Sequence, residues 1–270
     1  MAKGPSIALV VGLVAGACSS CGSPPREAGP PAGVDAALPP ERAIQTRLVE
    51  ATGGRDAWRD ARFIAFDWIE YVDGEPIVSR RHAWDRETGR ASLQMTIERR
   101  PVVVVYNVDT GSGRAWIDDT EVEIDADRAA LVRQAQALHG HDTYWLLMPF
   151  MWDEPGVTAT YAGVTRDADG KRWETVELNL DHGSEGRRWR SQVLLDPDTG
   201  LVGRWAHNET PGAADGGVRT DWTGWERRGP LLVALDRPLP DGTPHVSFGD
   251  VRISSEIDEV ALSLPAHTAR

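Results

Sequence analysis

Turn signals recur about every 8–12 residues over most of this chain, and that spacing constrains the fold more than any other feature. Asp73-Gly74, Asp85-Arg86-Glu87-Thr88-Gly89, Thr110-Gly111-Ser112-Gly113, Asp167-Ala168-Asp169-Gly170 and Asp196-Pro197-Asp198-Thr199-Gly200 each separate runs rich in aromatic and β-branched residues. Links this short join antiparallel neighbours, because a parallel crossover needs a dozen residues or more. Residues 172–180 alternate clearly, with Val176, Leu178 and Leu180 on one face and Trp173, Thr175, Glu177 and Asn179 on the other. Residues 102–105 are continuous Val, the pattern of a strand covered on both faces. Runs at 218–227, 231–236 and 251–257 complete the set. The spacing predicts roughly ten or eleven antiparallel strands, and a sheet that large has to curl or split.

Two segments have helical spacing. Residues 41–52 place Ile44, Leu48 and Val49 on one stripe, with Pro40 ahead and Gly53-Gly54 behind. Residues 127–138 place Leu131, Ala135 and Leu138 on one face, and Gly140 is expected to close that helix. Next comes the most apolar run outside the extreme N-terminus, Tyr144-Trp145-Leu146-Leu147-Met148-Pro149-Phe150-Met151-Trp152. Each large side chain buried there stabilises a core by about 1.5–3 kcal/mol, so this segment is expected to be the plug the strands wrap around. The fold class that follows is α+β: a strongly curved, unclosed antiparallel sheet with helices covering its concave face.

The first 17 residues have the form of a secretory signal: Lys3, an apolar stretch from Ile7 to Val14, then Ala15, Gly16 and Ala17 before Cys18. Small residues placed directly before a Cys resemble the bacterial lipoprotein processing site. That resemblance implies that Cys18 becomes the N-terminus and carries acyl chains, which would anchor the chain stably to a membrane. Residues 18–40, with Pro24-Pro25, Pro30-Pro31 and Pro39-Pro40, read as an extended tether. A single folded domain is expected over 41–265. Ser19 after the Cys resembles the sorting signal for the outer membrane, facing the periplasm.

A net charge of −12 argues against nucleic acid as a partner, since phosphate binding needs a basic face. Cys18 and Cys21 are the only cysteines, so the folded body has neither a disulfide nor thiol chemistry. No Gly-x-Ser-x-Gly elbow, phosphate loop or His-Glu-x-x-His motif occurs, and no cofactor is expected. His139, His141 and Asp142 form the sharpest polar cluster; with His82, His182 or His207 it is a weak candidate metal site, and otherwise an ordinary helix end. Arg80-Arg81 and Arg187-Arg188 either touch lipid headgroups or guard strand edges. Eleven Trp against four Phe and four Tyr suit either an apolar groove or a Trp-rich core.

The lipoprotein signal, the helix ending in Gly53-Gly54, the hairpins split by the Tyr144–Phe150 segment, and the run Leu194-Leu195-Asp196-Pro197-Asp198-Thr199-Gly200-Leu201-Val202 together resemble the periplasmic lipoprotein-carrier superfamily with the LolA/LolB-like fold. The resemblance covers about residues 41 to 262 and rests on architectural signals. It implies an unclosed barrel with an apolar, helix-lidded concave side, which in the carriers holds acyl chains. Here Trp145, Leu147, Met148, Phe150 and Trp152 are expected to line or gate such a cavity. The leading expectation is therefore a membrane-tethered module that binds a lipid or other hydrophobic ligand, with an envelope protein as a further partner. The alternatives are a metal-assisted hydrolase at His139/His141 and a ligand-free surface scaffold.

Overall fold

The computed structural model describes residues 38–182, 187–208 and 217–263. Cys18, the signal and the tether up to residue 37 lie outside them, as do the side chains of His182, Arg187 and Arg188. Helix α1 (Pro40–Ala51) opens with Pro at its first position, where no hydrogen bond is lost, and buries Ile44, Gln45, Leu48 and Val49. It ends where Gly53 takes φ +132; a Cβ there would sit 2.8 Å from the Pro230 carbonyl. Both the backbone angle and the close approach require glycine. A short helix that the sequence pattern did not show, α2 (Arg55–Asp60), follows.

Six strands come next: β1 (Phe63–Val72), β2 (Glu75–Asp85), β3 (Arg90–Ile97), β4 (Arg100–Asn107), β5 (Gly113–Ile117) and β6 (Thr120–Glu121). After helix α3 (Asp125–Leu147) and a 3₁₀ turn (Met148–Phe150) come β7 (Val157–Arg166), β8 (Arg172–His182), β9 (Arg187–Leu195), β10 (Val202–Asn208) and β11 (Val218–Asp221). The chain finishes with β12 (Thr223–Arg228), β13 (Leu231–Arg237) and β14 (Val246–Ser254). All pairings are antiparallel, as the turn spacing requires. The Asp73-Gly74 turn has both residues at positive φ, the geometry that matches strand twist in a tight hairpin. Val102, Val103 and Val104 are buried on both faces of β4.

The fourteen described strands form two sheets, not one of ten or eleven. The larger runs β12-β13-β14-β1-β2-β3-β4-β5-β6 and the smaller β11-β10-β9-β8-β7; neither closes on itself. The run read as one strand at 218–227 changes sheets at Trp222: β11 pairs with β10, and β12 pairs with β13. Trp222 itself is 3% exposed, and its backbone N–H donates to the Gly203 carbonyl. A strand that turns a corner between sheets carries both pairings without a loop. Strand β14 begins at Val246, five residues ahead of the expected run, and pairs along β1 at the other end of the chain.

Helix α3 is a second correction. It does not stop at Gly140 but continues to Leu147. A mid-helix glycine costs about 1 kcal/mol. That is small beside the burial of every residue from Asp142 to Phe150, the last turns of the helix and its 3₁₀ extension. The N-terminal half of α3 places Val132 and Ala135 against Leu93, Val104, Tyr106 and Ala115. Its C-terminal half sits in the main core with α1, β1, β8, β9, β13 and β14. The architecture is thus mostly antiparallel sheet, unclosed, with few helices. No described helix is long and apolar enough to cross a membrane.

Candidate functional site

The helix α3 has two working faces. One carries Asp142, which is completely buried. Arg80 grips it with a two-pronged pair: Nε donates to Oδ2 at 2.8 Å and Nη2 to Oδ1 at 2.9 Å. His82 Nε2 lies 2.8 Å from Oδ2, and His141 Nδ1 lies 2.6 Å from Oδ1. Burial alone would raise the Asp142 pKa. The hydrogen bonds from His141, His82 and Arg80 overcome that and hold the carboxyl well below the usual range. Arg80 also lies 5.2 Å over the Trp68 ring. Strand β2 and helix α3 are joined here by residues 62 apart in the chain.

This arrangement corrects two readings. Arg80 is neither an edge guard nor a headgroup contact, since it is spent on Asp142; Arg81, pointing the other way, pairs with Asp67 and Asp250 on the surface. The cluster His139, His141 and Asp142 is not arranged for a metal. Both Asp142 oxygens accept from protein donors, and among the described residues no group of three or more candidate ligands converges. The guanidinium of Arg80 occupies the place a cation would take. His207 is held elsewhere, with Nδ1 2.8 Å from the Ser191 hydroxyl and its ring stacked on Trp205.

The other face of α3 floors a cleft of about 890 Å³. Arg133, Gln136, Ala137, Gly140, Thr143 and Tyr144 supply the floor at helical spacing, with His139 beside them. One wall comes from the larger sheet, with Trp84 at the end of β2 and Val108 after β4. The other comes from the smaller sheet, with Val157, Leu180 and Trp189. Met151 and Glu154 close one end. The Tyr144 ring lies 4.1 Å from Trp189, and its hydroxyl is 3.4 Å from Ser191 Oγ. Burial pushes the Tyr144 hydroxyl pKa up, so it stays neutral. Burial, with His82 nearby, pushes His139 down to about 3, so it too is neutral. His139 meets Trp84 edge-on at 4.8 Å, and its Nδ1 has no hydrogen-bond partner.

The side chains expected to line a cavity are placed otherwise. Trp145, Leu147, Met148, Phe150 and Trp152 are packed in the main core, and none of them lines the cleft. Trp145 stands edge-on to Trp68 and Trp205, Phe150 stacks on Trp58 at 4.7 Å, and the Trp152 indole N–H points at the Met148 sulfur. Their neighbours Tyr144 and Met151 face the cleft instead. Successive helical residues point about 100° apart, so one residue of register separates core from opening. The run was apolar on all sides, and its pattern did not say which side was open. Trp84, Trp189 and Arg133 were not marked by any local motif; they come together only because α3 lies between the two sheets. None of the eleven Trp is exposed. Most build the core, while Trp84 and Trp189 wall the cleft.

No family model matches the sequence, and no curated protein matches it. Among solved structures, a DUF1329 family protein from Desulfovibrio piger is similar, with a TM-score of 0.47 and 10% identity over 84% of this chain and 98% of that one. A chain of the Pseudomonas aeruginosa MucA/MucB complex aligns with a TM-score of 0.28 and 14% identity over 82% of this chain. This chain spans 60% of that second chain.

Proposed function

We propose that this protein is a lipid-anchored envelope protein that binds a lipid or other hydrophobic ligand in the cleft on helix α3. One observation carries the reading: two antiparallel sheets leave an opening of about 890 Å³ walled by Trp84, Val108, Leu180 and Trp189 instead of closing over α3. Ligand pockets of this size are lined mainly by apolar and aromatic side chains with a few polar groups. The lipoprotein-carrier resemblance supports the same reading. In it, α3 serves as the helical cover of the concave side, and Trp145, Leu147, Met148, Phe150 and Trp152 anchor that cover from behind. Cys18 is the acylated residue, the tether holds the domain off the membrane, and the ligand is an envelope lipid or an acyl group of another lipoprotein. The outer membrane, on its periplasmic side, is the proposed location.

The test uses full-length chain with Cys18→Ser, which removes its own acyl chains. An uncharged apolar dye that brightens out of water, N-phenyl-1-naphthylamine, should bind saturably at one site. Ala137→Trp should abolish that binding with little change in stability, because Ala137 is an exposed floor residue and the larger ring fills the opening. If dye binding survives Ala137→Trp unchanged, the cleft is not the site. Absence of dye binding in the unsubstituted protein would leave the ligand-free scaffold.

A further inference from the structure

We infer that the Nε–Nη2 edge of Arg86 is an anion subsite at the Met151–Glu154 end of the cleft, and that it takes the carboxylate or phosphate head of the ligand. This rests on the proposed function above and specifies the ligand class.

The turn after β2 fixes Arg86 from two sides. Its backbone N–H donates to the Arg62 carbonyl, while the Arg62 side chain grips Asp85 just before it. Its guanidinium lies 3.4 Å from the centre of the Trp58 ring, and Nη1 donates to the carbonyls of Trp58 and Ala61 at 2.6 and 2.8 Å, where α2 ends. The same group lies 5.8 Å over Trp84, a wall of the cleft. Trp58 in turn stacks on Phe150, the residue before Met151. Glu154, at that end of the cleft, is near enough to act on the charge of Arg86 but forms no ion pair with it among the described residues.

One face and one edge of the guanidinium are thus used. The other edge, Nε and Nη2, has no hydrogen-bond partner among the described residues, and neither nitrogen is sealed from solvent as the Trp84 indole nitrogen is. Elsewhere in this chain that same edge takes a carboxylate. Nε and Nη2 of Arg62 hold Asp85, those of Arg80 hold Asp142, and those of Arg114 hold Glu121. The fork matches two oxygens of a carboxylate or a phosphate, and such charge-assisted bonds are roughly twice as strong as those to a neutral ester or hydroxyl. Arg86 also stands apart from its kind. The other half-buried arginines among the described residues, Arg62, Arg80, Arg128, Arg204 and Arg228, each have a carboxylate partner. Burial lowers the Arg86 pKa to about 10, so it keeps its charge at neutral pH. The fold already bears the desolvation of this cation, and an anion on its open edge supplies the missing counter-charge. Arg133 on the exposed rim adds a second cation with no ion pair among the described residues.

Dodecanoate, dodecyl phosphate and monododecanoylglycerol share one tail length and differ in the head. Each is titrated, below its micellar concentration, against N-phenyl-1-naphthylamine bound to the full-length Cys18→Ser chain at pH 7.5. At least one anion should compete at roughly tenfold lower concentration than the glyceride, or better, and which one does so tells a carboxylate head from a phosphate head. Arg86→Gln should bring that anion to the level of the glyceride while dye affinity stays the same. Glu154→Gln, which touches none of the Arg86 contacts, should strengthen the anion and leave the glyceride unchanged. Anions that compete no better than the glyceride, or an advantage that survives Arg86→Gln, would overturn the inference and leave the cleft reading intact. If Arg86→Gln does not fold, Glu154→Gln decides alone, and unchanged anion competition there overturns the inference. If none of the three displaces the dye, the cleft reading itself fails and the inference with it.

Discussion

Arg237 points its Nη2 at the Trp145 carbonyl, 2.8 Å away, across the main core. The two residues are 92 apart in sequence. Arg237 is wholly buried, lies 3.5 Å over the Trp222 ring, and donates from Nη1 to the carbonyls of Ala234 and Asp236. Trp145 is in the last turn of α3, where carbonyls have no partner within the helix. A cation there also suits the negative end of the helix dipole. Arg237 thus joins β13, α3 and the sheet-changing Trp222.

Arg237→Ala should lower stability by about 3 kcal/mol, since it empties a filled site and orphans buried carbonyls. Arg237→Lys should lose most of that as well, because a point charge cannot reproduce the planar fork or the stacking on Trp222. Urea unfolding followed by Trp fluorescence measures both. A loss of under about 1 kcal/mol for Ala would show that the contact is incidental.

Removing Asp142 should be among the most damaging single changes. Asp142→Asn leaves Arg80, His82 and His141 facing a neutral amide, and unpairing a buried ion costs about 3–5 kcal/mol. Adding Arg80→Met should restore part of this, because the second change removes the stranded charge. Additive losses in the double variant would mean the two side chains are not coupled.

Stability should fall in mild acid. The folded-state pKa of His139 is depressed to about 3, whereas an unfolded His takes its proton near the ordinary value of about 6.5. Between those limits the unfolded chain binds more protons, so stability drops by about 1.4 kcal/mol for each unit of falling pH. Asp142, also depressed, adds its loss only lower down, as pH passes below its unfolded value of about 3.9 and through its folded one. Urea midpoints at pH 7.5 and 5.0 should therefore differ, and His139→Leu should flatten the difference. Equal midpoints for the native protein would exclude a neutral, buried His139.

Cys18 should be the attachment point of acyl chains. Cells expressing the full chain and fed radiolabelled palmitate should label the native protein and Cys21→Ser, but not Cys18→Ser. Label on Cys18→Ser would move the processing site or remove it.

The sequence by itself determined what is local. The Asp73-Gly74 hairpin, the Gly53-Gly54 helix stop, the buried faces of β4 and β8, and the enclosure of the Tyr144–Trp152 run all follow from turn chemistry and side-chain periodicity acting within a few residues. Tertiary structure decided everything that pairs distant segments. It placed β14 beside β1, split the strands into two sheets at Trp222, and carried α3 past Gly140. It also spent Arg80 on Asp142, which a reader of the sequence had no reason to connect. The cleft belongs to this second group. Its position is set by which side of α3 the two sheets leave uncovered, and that depends on packing summed over the whole core, not on any local pattern.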